Sequence, residues 1–329
     1  MTKSLPLSFG KRDTSKANHW QKLKFFKHKI TKPTIICLGG NTTKFEEDAN
    51  AMCKLASNLI GLKDPIDNEQ ATTNDVDVIG VAYGQLDETP RNSTTAVTRQ
   101  EISMLVDTLL LPLATNKSGK RLSLRQAEKN FSNVTFFSHC YGAKIVNEMN
   151  FDLIRKMMDI GYSSDEILTI QKQMTSVSYA PIEEVFNMPS LQIVSAKDYT
   201  SMVPNNASDS FRDTYYDIFE GKIEFDGNYV FREDENTVTL FTSAMSQKPG
   251  NEHSVVFLNR NENWRYTLLN PDHADEISQV AGYVLASSVA TGIQNQQSTE
   301  FIPKPSPEEI LQSASSILGS TQQDLGICQ

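Results

Sequence analysis

Residues 134–144 read Val134-Thr135-Phe136-Phe137-Ser138-His139-Cys140-Tyr141-Gly142-Ala143-Lys144. An apolar, β-prone run is followed at once by small-His-Cys-Tyr-Gly and then by a helix-compatible sequence. This is the pattern of a nucleophile elbow, the sharp strand-to-helix turn that lifts one reactive side chain above a sheet, usually written G-x-S-x-G. Ser138 takes the first small position, Cys140 the nucleophile position and Gly142 the last. Small residues are required there because strand and helix backbones pass close together. A helix N-terminus just beyond also favours negative charge on a thiol. The plain alternative is a buried cysteine acting as a small hydrophobe, and the flanking sequence must decide between them.

Working outward on the N-terminal side, residues 33–40 form a continuous apolar run ending in Gly39-Gly40, as a strand buried on both faces would. Thr43 to Glu46 reads as a capping box. Ala49, Met52, Cys53, Ala56, Leu59 and Ile60 then recur at helical spacing, with Gly61 as a stop. A second buried strand spans 76–83, after a polar loop at 63–75. Helical periodicity returns over 96–114. Beyond the elbow, a helix is predicted through Met149 and on to Met158.

This alternation predicts an α/β fold, a mostly parallel central sheet with helices on both faces. Downstream, an amphipathic segment lies near 164–174, and strands are predicted at 175–181, 191–198, 238–241 and 254–258. Residues 204–236 carry seven aromatics and a β-hairpin signal at Asp226-Gly227, and are read as an insertion over the C-terminal edge of the sheet. A closing helix is expected over 274–290. The predicted organisation is a basic N-terminal segment (1–32), an α/β domain (33–293) and a polar, poorly packed tail (294–329) with a weak helix at 307–318.

The 329 residues are 39% hydrophobic and 22% charged, which suits a globular protein with a substantial core. No apolar run approaches the roughly 20 residues needed to span a bilayer, and the N-terminus lacks the apolar core of a secretory signal. The four cysteines Cys37, Cys53, Cys140 and Cys328 show no metal-ligand spacing. They are read as reduced thiols in a cytoplasmic, reducing compartment, with no metal or organic cofactor. Residues 1–32 carry a charge of +8 within a chain of net charge −9. The interleaved apolar residues of 16–32 make a weak membrane-surface contact conceivable, and a lysine-guarded edge strand explains the same pattern. The acidic remainder argues against a nucleic-acid partner.

A thiol nucleophile needs a base and a group that orients the base. The chain has five histidines. His19 and His28 lie in the basic leader, and His139 is expected to turn away from its neighbour Cys140. His253 and His273 remain, and His273 is more simply part of the turn that opens the last helix.

Ser138-His139-Cys140-Tyr141-Gly142-Ala143 resembles the Gly-His-Ser-x-Gly-Gly elbow of the α/β-hydrolase superfamily, with Cys for Ser as in its dienelactone-hydrolase-like members. Leu191 to Pro204 resembles the family segment in which a strand ends in a small residue, then x-x-Asp, then Val-Pro. Asn251-Glu252-His253-Ser254-Val255 resembles its Gly-His-Ser loop. The resemblance implies a thiol hydrolase that acts on an ester, thioester or amide, with Cys140 as nucleophile, His253 as base and Asp198 as the acid behind it. It places an oxyanion hole at the backbone N–H groups near Gly40, Asn41 and Tyr141. The Ser at 138, Leu38 and Glu252 depart from the family pattern.

Two other readings compete. His253, a polar turn at 259–263 and Asn270-Pro271-Asp272 look like the second half of a papain-like thiol peptidase or acyltransferase, using Cys140, His253 and Asn270 or Asp272. A catalytically silent hydrolase scaffold serving as an interaction protein is the third reading. The Ser- and Pro-rich tail faintly resembles the C-terminal export signals of intracellular-bacterial effectors, which implies delivery into a host cell without a cleavable signal peptide.

Overall fold

The computed structural model describes residues 7–8, 29–40, 46–61, 76–82, 99–195, 213, 216–217, 220, 222, 227–232, 234–242 and 271–319. Its strands are β1 (Leu7–Ser8), β2 (Thr34–Leu38), β3 (Asp77–Ala82), β4 (Val134–His139), β5 (Thr175–Tyr179), β6 (Ser190–Ser195), β7 (Asn228–Arg232) and β8 (Thr237–Thr242). The helices are α1 (Glu46–Leu59), α2 (Arg99–Leu105), α3 (Leu111–Ala114), α4 (Leu124–Phe131), α5 (Tyr141–Asp159), α6 (Ser164–Gln171), α7 (Pro271–Gln297) and α8 (Pro307–Leu318). A π-helical turn, Val106–Leu110, joins α2 to α3.

The strands form one sheet in the order β1-β3-β2-β4-β5-β6-β8-β7. All pairings are parallel except the β7–β8 hairpin at the edge. The expected α/β architecture is therefore present. Both sheet faces are covered, which is why the central strands read as continuous apolar runs. Ile36, Leu38, Ile79, Val81, Val134 and Phe136 pack against α2 to α6. Ile35, Cys37, Val78, Phe137, Tyr179 and Leu240 pack against α1, α7 and α8. Phe136 and Phe137, adjacent in sequence, thus fill opposite cores, and both are fully buried. Burial of each such ring is worth about 2–3 kcal/mol.

The chain enters at β2, steps outward to β3, and then crosses to the other side of β2 to build β4. The C-terminal ends of β2 and β4 therefore flank a topological switch point, the place where open α/β sheets leave a crevice. Thr34 to Leu38 pair in register with Val134 to Ser138, so Gly39-Gly40 and His139-Cys140 leave the sheet side by side.

Several elements differ from their expected extents. The helix expected over 96–114 is broken by the π-helical turn, where the Lys156 ammonium of α5 donates to Ser103 O, Ser103 Oγ and Asp107 Oδ1. Helix α4 was not anticipated; its only local signal is Ser123, whose hydroxyl accepts from Gln126 N at the N-cap. A hairpin turn at Asp234–Asn236 joins β7 to β8, while the signal at Asp226-Gly227 begins on a residue outside those described. The Asp234 carboxylate accepts from Asn236 N at 2.7 Å and Thr237 N at 2.6 Å, a side-chain turn that needs no glycine. Its strand β7 belongs to the main sheet, not to a separate insertion. The predicted strand at 254–258 and most of 204–226 lie outside the described residues.

The C-terminal segment is a correction. It was expected to pack poorly, yet α8 starts with a capping box between Ser306 and Glu309 and buries Ile310 and Ala314 against the sheet. Its polar residues face outward from a helix whose apolar stripe is narrow, which a composition argument cannot see.

Candidate functional site

β4 ends at His139 and α5 begins at Tyr141, leaving Cys140 alone in the turn. Its backbone adopts φ 53°, ψ −118°, a conformation that L-residues rarely take and that costs about 1–3 kcal/mol. The surroundings hold it there. Cys140 N donates to Tyr179 O of β5 at 2.9 Å, and Cys140 O accepts from Ala143 N at 3.2 Å and Ile182 N at 3.4 Å. The thiol residue is buried, 8% exposed, at the C-terminal end of β4 beside the switch point. A strained non-glycine residue between strand and helix is the geometry the elbow reading requires.

The two glycines of the neighbourhood are explained by close approach. A β-carbon on Gly142 would be driven into the carbonyl oxygen of Leu38 and would lie 2.9 Å from that of Gly39. Only glycine lets α5 start directly over the end of β2. A β-carbon on Gly40 would lie 3.1 Å from His139 Nδ1, 3.2 Å from Cys140 Cβ and 3.6 Å from Cys140 Sγ. Gly40 thus clears the space above the thiol, and the same glycine is bordered by the imidazole. The His139 imidazole and the Cys140 thiol both border the space over Gly40.

Tyr141 opens α5, so its N–H is among those that helical bonding leaves for other acceptors. The loop after β5 forms the opposite wall. Asn147 of α5, buried, donates to Glu184 O at 2.7 Å, and Lys144 pairs with Glu183 at 3.2 Å. Burial alone lowers the Lys144 ammonium, but the facing Glu183 carboxylate outweighs it and raises its pKa. Beneath the turn, Ser138 Oγ lies 2.7 Å from Ser178 Oγ, a buried pair linking β4 to β5.

Cys140, Gly40 and Tyr141 are therefore brought together. Asp198, Asn41, His253 and Asn270 lie outside the described residues, and Asp272 and His273 are described only as backbone in the first turn of α7. The strands that lead to 198 and 253, β6 and β8, are adjacent in the sheet and run parallel to β4. The other described thiols are of a different kind. Cys37 and Cys53 are buried in the apolar core, and burial, followed by contact with Cys53, pushes the Cys37 thiol well above its ordinary value. Among the described residues no group of three His, Cys, Asp or Glu side chains could hold a metal ion, and no helix is long and apolar enough to cross a membrane. No protein-family model matches the chain, and none of the curated proteins matches it.

Proposed function

We propose that the chain is a thiol-dependent hydrolase of the α/β-hydrolase type, acting on an ester, thioester or amide. The observation that carries this reading is Cys140, held at positive φ between β4 and α5, above Gly40 and at the switch-point crevice. In the proposed reaction His253, oriented by Asp198, takes the thiol proton while Cys140 Sγ bonds to the carbonyl carbon. The oxyanion is held by backbone N–H groups near Gly40, Asn41 and Tyr141. Collapse expels the leaving group, which takes the proton from the imidazolium. Water, deprotonated by the same imidazole, then cleaves the acyl-thioester and restores the thiol.

The parallel neighbours of β4 support this reading over the papain-like one with Asn270 or Asp272, since that fold does not set its thiol after such a sheet. The test combines labelling and turnover. Iodoacetamide is expected to modify Cys140 at least about tenfold faster than Cys37 or Cys53, whose thiols are buried in the core. Short acyl thioesters are expected to turn over with wild type, with Cys140→Ala inactive and His253→Ala reduced about 10³-fold or more. Unselective labelling together with no turnover of any acyl substrate would leave the silent-scaffold reading in its place.

A further inference from the structure

Among the described residues Lys304 is a buried lysine that the elbow does not use and that packing alone would not choose. Lys304, in the segment between α7 and α8, is only 4% exposed. Its Nζ lies 2.5 Å from Ser288 O, 2.6 Å from Ser288 Oγ and 3.4 Å from Thr135 Oγ1. Ser288 is on α7 and Thr135 on β4, and their hydroxyls are themselves 2.7 Å apart. As an ammonium, Lys304 donates three hydrogen bonds here. As an amine it donates two and accepts one from a hydroxyl that turns toward it. Both protonation states can therefore be bonded, and they differ in the cost of burying charge.

Among the described residues no carboxylate pairs with Lys304 to offset that cost. α7 carries no charged side chain from Ile277 to Gln297, and on β4 the titratable residue is His139, at the opposite end of the strand. On the arm itself Glu300 is exposed. On α8, Glu308 pairs with Arg232 at 2.7 Å and Glu309 is engaged by Ser306 N at 2.7 Å. From α4, Arg125 and Lys129 donate to the carbonyls of Thr299 and Ser298, and Glu128, whose carboxyl pKa is raised by partial burial, has Arg125 as its charged neighbour. Burial correspondingly pushes the Lys304 amine well below the ordinary lysine value.

We propose that Lys304 is a proton-sensitive fastener that makes docking of the C-terminal arm, residues 298–319, tighten as pH rises. The remaining holds on the arm are of other kinds. They are the carbonyl contacts from Arg125 and Lys129, the reciprocal bonds of Asn295 with Ile302 at 2.7 Å each, the Arg232–Glu308 pair, and the apolar seat of Ile310 and Ala314. None of these requires proton uptake or release near neutrality. Lys304 differs: released, it holds its proton as an ordinary lysine does, and docked, burial without a carboxylate partner disfavours that proton. Between its depressed docked value and the ordinary lysine value near 10.4, docking weakens up to tenfold for each pH unit of acidification. What the arm covers is the face of β6, β7 and β8, the strands that lead to the Asp198 and His253 loops.

Hydrogen–deuterium exchange of the full chain, read by peptide and corrected for intrinsic rates, tests this between pH 7 and 9. Arm peptides of the wild type are expected to gain up to tenfold protection per pH unit, while peptides of β4 and α5 change less. Lys304→Met is expected to abolish the arm's slope. A flat wild-type arm overturns the proposal whatever the variant does. So does a slope that Lys304→Met retains, or one shared equally by every core peptide, which would tie the lysine to global unfolding. Should Lys304→Met not fold, Lys304→Gln is read by the same slope.

Discussion

β4 ends in two unlike places. At its C-terminal end Cys140 sits in a strained turn beside the switch point; at its N-terminal end Thr135 helps to enclose Lys304 among hydroxyl and carbonyl groups. Both ends carry a potentially nucleophilic group, and the fold treats them oppositely. The thiol is bought at the cost of backbone strain and of glycines that clear space around it. The amine is enclosed by α7 and the arm, so its chemistry is reduced to taking or losing a proton. Both groups are nearly buried, so it is the setting that separates them: Cys140 lies in a strained turn beside Gly40, and Lys304 lies beneath α7 and the arm.

The largest expected effect lies at the C-terminal end. Gly142→Ala places a β-carbon against the Leu38 and Gly39 carbonyls, which are backbone atoms and cannot rotate aside. Separating α5 from β2 to relieve the overlap is expected to cost about 3 kcal/mol, read as a lowered urea midpoint. A loss below about 1 kcal/mol would mean that the elbow is looser than its contacts imply. Next comes the thiol itself. Cys140→Gly relieves the positive φ and is expected to stabilise the fold by about 1 kcal/mol while abolishing selective alkylation. Stability and reactivity should thus move in opposite directions at this end of the strand. A destabilised Cys140→Gly would show that the side chain's packing outweighs the backbone strain.

The same contrast explains what could be read from sequence. The elbow is local: Ser138, Cys140 and Gly142 lie within five residues, and the apolar runs around them carry the period of strands buried on both faces. The parallel sheet followed from the order of those runs. Lys304 was invisible because its partners, Thr135 and Ser288, are 169 and 16 residues away, and a lysine in a Pro- and Ser-rich stretch reads as solvated. The arm was misjudged for the same reason, since α8 needs only Ile310 and Ala314 fully buried to dock. The turn at Asp234–Asn236 left no glycine to read, because Asp234 supplies by side-chain bonding what a glycine supplies by conformational freedom.

The smallest effect sharpens the comparison most cleanly, because it touches the arm without touching charge in the core. The Ser306 hydroxyl accepts from Glu309 N at 3.2 Å, and the Glu309 carboxylate accepts from Ser306 N at 2.7 Å. Ser306→Ala removes the hydroxyl half of this capping box and is expected to cost about 1 kcal/mol of α8 stability. In hydrogen exchange that is about a fivefold loss of protection across residues 307–318, equal at every pH because no proton is taken up. Alkylation of Cys140 is expected to stay unchanged, since the crevice and the arm's cap share no residue. If Ser306→Ala also altered the labelling rate, the two ends of β4 would be coupled through the sheet, and the arm would have to be counted as part of the candidate site.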